Sequence, residues 1–146
     1  MGLNQAMEIS VSGIEAQRRT MELISSNLAN INTTRTLYGG PYRRKISVLA
    51  ETPISFSQAL TRAESKLDGK MGGGVEVVDV VDDRTAFQKV YKPGHPDADP
   101  QGFVSMPNVN LSDEMVDMIY VSKLYEANIT AFNATKKMMQ DTLTLQ

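Results

Sequence analysis

The chain has 146 residues, with 15 Lys+Arg against 17 Asp+Glu and a formal net charge of -2, a balance that fits neither a polybasic nucleic-acid binder nor an acidic tail. It contains no Cys and a single His, His95, which excludes disulfide scaffolds, thiolate metal sites, iron–sulfur clusters, thiol nucleophiles and His-rich metal clusters. With 41% apolar and 22% charged residues, the composition and length suit one soluble domain of ordinary size.

The first twenty residues include Glu8 and Glu15 and no basic cluster ahead of an apolar run, so no secretory signal peptide is expected. Ala6 stands where a myristoylation motif needs Ser or Thr, so no lipid is expected either. From about Leu3 to Ile31, apolar residues recur at Leu3, Met7, Ile14, Met21, Ile24, Leu28 and Ile31, a heptad-like stripe that predicts an amphipathic helix. Gly13 lies inside it and costs about 1 kcal/mol relative to Ala, so the helix is weak alone. Asn30, Asn32, Thr33 and Thr34 mark its end, because their short polar side chains compete with the backbone for hydrogen bonds.

The central region reads as short β-like runs, Arg44 to Ala50, Val75 to Val81, Phe87 to Tyr91 and Phe103 to Ser105, which predict a small sheet. Gly39-Gly40-Pro41 reads as a turn, Gly72-Gly73-Gly74 as a hinge, and Pro93 to Pro100 as an irregular loop. The polar stretch from Ser57 to Lys70 is consistent with a short helix or with disorder. From about Ser112 to Leu143 a second amphipathic helix is expected. Asp113, Glu114 and Asp117 suit the positive end of its dipole, and Lys136 and Lys137 are placed to complement the other end. Its stripe is Leu111, Met115, Met118, Ser122, Tyr125, Ile129, Phe132, Lys136, Met139 and Leu143, and Ile119, Val121, Leu124, Ala131, Ala134 and Met138 widen it. Burial along one seam does not offset the entropy of ordering about thirty residues, so several faces must be covered, with other chains the obvious source. The expected class is α+β. Two long terminal helices, in segments 1–34 and 111–146, pack as a coiled-coil or helical hairpin, with a small β-rich centre at 35–110.

Three groups of residues offer chemistry. Asp97-Ala98-Asp99-Pro100-Gln101-Gly102 opens like a calcium loop, but Gln101 stands where Asp or Asn is expected and Asn108 where the closing bidentate Glu belongs, so a structural turn is the plainer reading. A small metal-binding or catalytic domain centred on His95, Asp97 and Asp99 is the competing functional reading, although no nucleophile motif accompanies it. Arg35, Arg43, Arg44 and Lys45 with Tyr38 and Tyr42 form a basic, aromatic patch of the kind that binds single strands; the overall acidity favours a solvated face or a protein-contact patch instead.

The run from Ile24 to Thr33, Ile-Ser-Ser-Asn-Leu-Ala-Asn-Ile-Asn-Thr, resembles the N-terminal signature of the bacterial flagellar axial proteins of the rod and hook. Gly39 to Arg44, Pro93 to Asp99, Met106 to Asn110, Glu114 to Ile119 and Tyr125 to Asn128 are similar to the proximal-rod members of that family. The resemblance implies a structural subunit, not an enzyme, without cofactor, bound metal, small-molecule substrate or nucleic acid. It implies self-assembly through the terminal helices into a rod around an export channel. Location would be the periplasmic rod of the basal body, reached through the flagellar type III export apparatus without a cleaved signal, and zero Cys suits that oxidising space. Implied partners are the rod proteins FlgB, FlgF and FlgG, the rod-to-membrane-ring adaptor FliE, and like subunits.

Candidate subunit-interface residues follow from the stripes and the signature. They are Met7, Ile14, Met21, Ile24 and Leu28 on the first stripe, and Asn27, Ala29, Asn30 and Asn32 at the helix exit. Met115, Met118, Tyr125, Ile129, Phe132 and Met139 come from the second stripe, with Glu126 and Asn128 beside it.

Overall fold

The computed structural model describes residues 2–52 and 73–144. The elements in order are helix α1 (Gly2–Ala29), strands β1 (Lys45–Glu51), β2 (Val75–Asp82), β3 (Gln88–Tyr91) and β4 (Phe103–Met106), and helix α2 (Leu111–Thr144). The class is α+β, as expected. The stretch from Ser57 to Lys70 lies outside the described residues.

The two helices pack side by side and antiparallel. Gly13 of α1 faces Asn128 of α2, Ser122 Oγ lies 3.7 Å from Met21 Sδ, and Asn27 Nδ2 donates to Glu114 Oε2 at 3.1 Å. Ala16, Ile24 and Val121 are buried. Gly13 earns its place at this crossing: a Cβ there would sit 2.9 Å from Asn128 Nδ2. The residue that weakens the isolated helix therefore admits the side chain of its partner.

Asn110 caps α2. Its Oδ1 accepts from Ser112 N at 3.0 Å, satisfying an amide that has no partner within the helix, and its carbonyl accepts the first helical bond, from Glu114 N at 3.0 Å. Asp113 and Glu114 occupy the first turn as expected, but the last turn holds no basic residue. The helix runs on to Thr144, about two turns past Lys137, so neither Lys136 nor Lys137 serves its C-terminus.

All four strands form where the sequence predicts, within one residue at either end. They make two separate antiparallel ribbons, β1–β2 and β3–β4, in place of a single small sheet. The β1–β2 register shifts between Val48 and Leu49. This ribbon lies along α1, joined by Thr20 Oγ1 to Ser47 Oγ at 3.0 Å and by Val75 N donating to Ser12 Oγ at 3.1 Å. Gly73 and Gly74 are close-approach points and not a hinge. A Cβ on Gly74 would fall 2.0 Å from Ser12 Oγ, and one on Gly73 would fall 2.2 Å from the Thr52 carbonyl oxygen.

The β3–β4 ribbon is closed by an edge-on Tyr91–Phe103 pair with centroids 5.4 Å apart. Gly102 precedes Phe103 at φ +83°, and a Cβ there would sit 2.8 Å from the Tyr91 ring. Gly102→Ala is expected to lower unfolding free energy by about 1–2 kcal/mol through the left-handed backbone alone, and by more through the ring contact. Gly94, in the same loop, has open space around it, so Gly94→Ala should leave stability unchanged or raise it by about 0.4–1 kcal/mol. Urea unfolding midpoints of the two variants measure this difference.

Candidate assembly site at the helix junction

Where α1 ends and α2 begins, four stretches of chain meet around two buried polar side chains. Asn27 is 1% exposed and Glu114 is fully buried. The chain leaves α1 through a turn in which Asn30 Nδ2 donates to the Ser26 carbonyl at 2.9 Å and Thr33 Oγ1 donates to Asn30 Oδ1 at 3.1 Å. Tyr42 N then donates to the Thr33 carbonyl at 3.0 Å, which returns the chain to the helix. That return sets Tyr42, Arg44 and Lys45 around Asn27.

Asn27 uses its full hydrogen-bonding capacity here. Its Nδ2 donates to the Lys45 carbonyl at 2.9 Å and to Glu114 Oε2, while its Oδ1 accepts from Lys45 N at 2.9 Å and from Tyr42 OH at 3.0 Å. The carboxamide thus pairs with the backbone of Lys45 as a neighbouring strand would. An amide can do this because it presents both donor and acceptor.

The buried Glu114 carboxylate is matched by Arg44. Arg44 Nε donates to Glu114 Oε1, its Nη2 donates to Asp117 Oδ2 at 2.9 Å, and Asp83 Oδ2 lies 3.9 Å from its Nη1. Burial opposes the Arg44 charge, but the hydrogen bond and attraction of Glu114, then Asp117 and Asp83, hold its pKa above the ordinary value. Arg44 N donates to Asn108 Oδ1 at 2.8 Å, and Asn108 Nδ2 donates to Thr85 Oγ1 at 2.8 Å. Hydrogen bonding from the Thr85 backbone, working against partial burial and helped by Arg44 and Arg43, holds Asp83 below its ordinary 3.8. Neighbouring Arg43 stacks over Phe87, 4.3 Å from the ring centroid, and donates to the Asp83 carbonyl at 2.8 Å.

Most of the heptad-stripe residues face inward in this structure, but Leu111, Met115 and Leu143 of the second stripe are exposed. Met7, Ile14, Met21 and Leu28 on α1, and Met118, Tyr125, Asn128, Ile129, Phe132 and Met139 on α2, are half-buried; Ile24 is buried; Asn30 is half-buried. Met115, Glu126, Ala29 and Asn32 are exposed. Sequence reasoning missed the Arg44–Glu114–Asp117–Asp83 cluster, having read Glu114 as a dipole charge and Arg44 as part of a basic patch. It also missed the breadth of the exposed apolar face early in α2, where Val116, Ile119 and Tyr120 are 62–65% exposed beside Met115.

His95 Nδ1 lies 3.9 Å from Asp97 Oδ2, but the three residues do not form one site. His95 Nδ1 accepts from Asp97 N at 3.1 Å, Asp97 Oδ2 accepts from Thr34 Oγ1 at 2.8 Å, and Asp99 Oδ1 accepts from the amides of Gln101 and Phe103. Each carboxylate shapes the loop or ties it to the α1 exit. Among the described residues no group of three or more His, Cys, Asp or Glu could hold a metal ion, so the metal-centred reading is not favoured.

Residues 7–35 match the family described as flagella basal body rod protein, and residues 101–145 match the flagellar basal body rod FlgEFG protein C-terminal family. Across nearly its whole length the chain is similar to proteins named flagellar basal-body rod protein FlgC. It is 39% identical to that of Borreliella burgdorferi, over 99% of this chain and 98% of the relative. Identity is 42% to that of Bacillus subtilis, over 94% of each, and 33% to that of Aquifex aeolicus, over 97% and 96%. The matched segments contain Asn27 and Glu114, the two buried centres of the junction.

Asn27→Ala leaves the Lys45 amide and carbonyl and the Tyr42 hydroxyl without their partner, and is expected to cost about 2–4 kcal/mol, since each stranded buried group costs about 1–3. Asn30→Ala, at a half-exposed turn, should cost about 1 kcal/mol. Urea denaturation of the purified chains distinguishes them. The depressed Asp83 pKa means that its contribution is full above pH 3.8 and is lost as pH falls through the lower folded-state value. Asp83→Asn should therefore flatten the acid limb of the stability curve, measured by unfolding between about pH 2 and pH 5.

Proposed function

We infer how this chain, which belongs to the FlgC family of flagellar basal-body rod proteins, takes its place as a structural subunit of the basal-body rod. The terminal segments 1–34 and 111–146 form the inner, axial layer as a helical hairpin, and 35–110 forms an outer layer against neighbouring subunits. The observation that carries this reading is the apolar face of α2. Leu111, Met115, Val116 and Ile119 are 49–65% exposed on one side of a helix whose other side packs on α1. Contiguous exposed apolar surface of this kind marks a protein interaction site.

The stripes then act in two stages. Within the chain, Met21, Ile24, Met118 and Phe132 support the hairpin; between chains, the outer flank of α2 meets the next subunit. Exposed Glu126, Ala29 and Asn32 lie at contacts between copies. FlgB, FlgF and FlgG, the adaptor FliE and further copies of this chain are the partners this role requires, and the periplasmic rod is its location. Passage through the flagellar type III apparatus as an unfolded chain is supported by the small buried core and by a helix carrying Gly13. No catalytic step is assigned to the chain.

Removing the gene in its native host should leave basal-body rings without a rod, visible by electron microscopy, and the intact gene should restore the rod. Intact rods in the deletion strain would overturn the assignment. Val116→Asp and Ile119→Asp place a charge on the outer face only. Each is expected to leave helix content by circular dichroism unchanged and to abolish rods, because an unpaired charge would enter a dry seam. Met118→Asp and Phe132→Asp should lose the fold and the rods together.

A further inference from the structure

One carboxylate ties two distant parts of the chain together, and the single histidine stands beside it. Asp97, in the loop between β3 and β4, accepts from Thr34 Oγ1 at 2.8 Å and lies 3.9 Å from Arg35 Nη1. Thr34 and Arg35 belong to the segment by which the chain leaves α1, so Asp97 fastens the β3–β4 ribbon to the helix junction. The loop takes its shape from backbone bonds. His95 N donates to the Lys92 carbonyl at 3.1 Å, and Ala98 N donates to the His95 carbonyl at 3.0 Å. These turns set the imidazole against Asp97, with Nδ1 accepting from Asp97 N at 3.1 Å and lying 3.9 Å from Asp97 Oδ2.

A ring nitrogen accepts a hydrogen bond only while it carries no hydrogen, so the bond from Asp97 N requires the neutral imidazole with its hydrogen on Nε2. Protonation turns Nδ1 into a donor and sets two N–H groups against each other. An acceptor for the new donor stands within reach in Asp97 Oδ2. The His95 and Asp97 side chains are 31% and 29% exposed, so their attraction is only partly screened. Arg35, 79% exposed, holds the same carboxylate weakly, and an imidazolium beside Asp97 repels it. From β3, Lys89 shares a cavity with Arg35, Asp97 and Asp99, while Asp99 Oδ1 is already held by the amides of Gln101 and Phe103. Histidine is the side chain that ordinarily changes charge between about pH 5 and 8.

We propose that His95 and Asp97 form a pH-sensitive clasp between the β3–β4 loop and the exit of α1. With the ring neutral, His95 holds the Asp97 amide and leaves the carboxylate to Thr34 and Arg35. With the ring protonated, the carboxylate turns to the imidazolium and the α1 exit is released from the loop. The clasp operates within one chain, whatever the place of that chain in an assembly.

The test is NMR of the full isotope-labelled chain between about pH 5 and pH 7.5, above the ordinary carboxylate range. At the upper end, long-range proton–nitrogen spectra of the imidazole are expected to show hydrogen on Nε2 and none on Nδ1; a neutral ring with its hydrogen on Nδ1 overturns the proposal. As His95 protonates, the protection of the Asp97 amide against hydrogen exchange should fall about tenfold, the scale of one lost hydrogen bond. The Thr34 and Arg35 amide resonances should move with the same midpoint as the imidazole. His95→Gln should abolish these movements, and Asp97→Asn should leave His95 titrating while Thr34 and Arg35 stay still. Thr34 and Arg35 resonances that ignore the His95 midpoint, or that follow pH equally in either variant, overturn the proposal while leaving the rod assignment standing.

Discussion

A buried carboxylate governs how this chain is put together. Glu114 has no solvent exposure, and an ionised carboxylate cannot sit there without a cation and hydrogen bonds. Arg44 and Asn27 supply them, and each comes from a different part of the chain. To satisfy Glu114, α2 must begin beside the end of α1, and the loop after α1 must return to set Arg44 at the head of β1. The antiparallel helix pair, the course of the 30–44 segment and the start of the β1–β2 ribbon all follow from that requirement. Asn27 tightens it further, because its amide pairs with the Lys45 backbone while contacting Glu114.

This arrangement divides the helix surfaces between two uses. The seam holding Ala16, Ile24 and Val121 is closed within the chain, while the Leu111, Met115, Val116 and Ile119 flank is left open. The β1–β2 ribbon, backed by α1, also shows Ile46, Val48, Leu49 and Val80 to solvent. A two-stranded ribbon has little stability of its own. The described residues thus make a polar junction with thin apolar packing. That suits a component that is complete only in an assembly.

The loop between β3 and β4 shows how the same residue types serve shape without chemistry. Asp99 caps two amides, Asp97 receives the Thr34 hydroxyl, and His95 accepts an amide proton. Their oxygens and nitrogen are directed at the backbone and at the α1 exit, which anchors the β3–β4 ribbon to the helix junction. Nearness in sequence placed them together, but their orientation is set by the turns they stabilise.

The sequence by itself determined the elements. Period and dipole charge are local properties, so two long helices and four strands were readable from apolar spacing, from Asp113 and Glu114, and from the glycines and prolines between runs. The signature from Ile24 to Thr33 was readable too, since it is a string of neighbours. Tertiary structure alone decided what these pieces do for one another. Gly13 reads as a weakness until Asn128 is found against it, and Gly74 reads as a hinge until Ser12 is found where its Cβ would be. Arg44 and Glu114 are 70 residues apart, and no local pattern couples them. Which side of each apolar stripe is closed within the chain and which stays open is likewise a matter of long-range packing, because a helix shows its apolar residues without showing what will cover them.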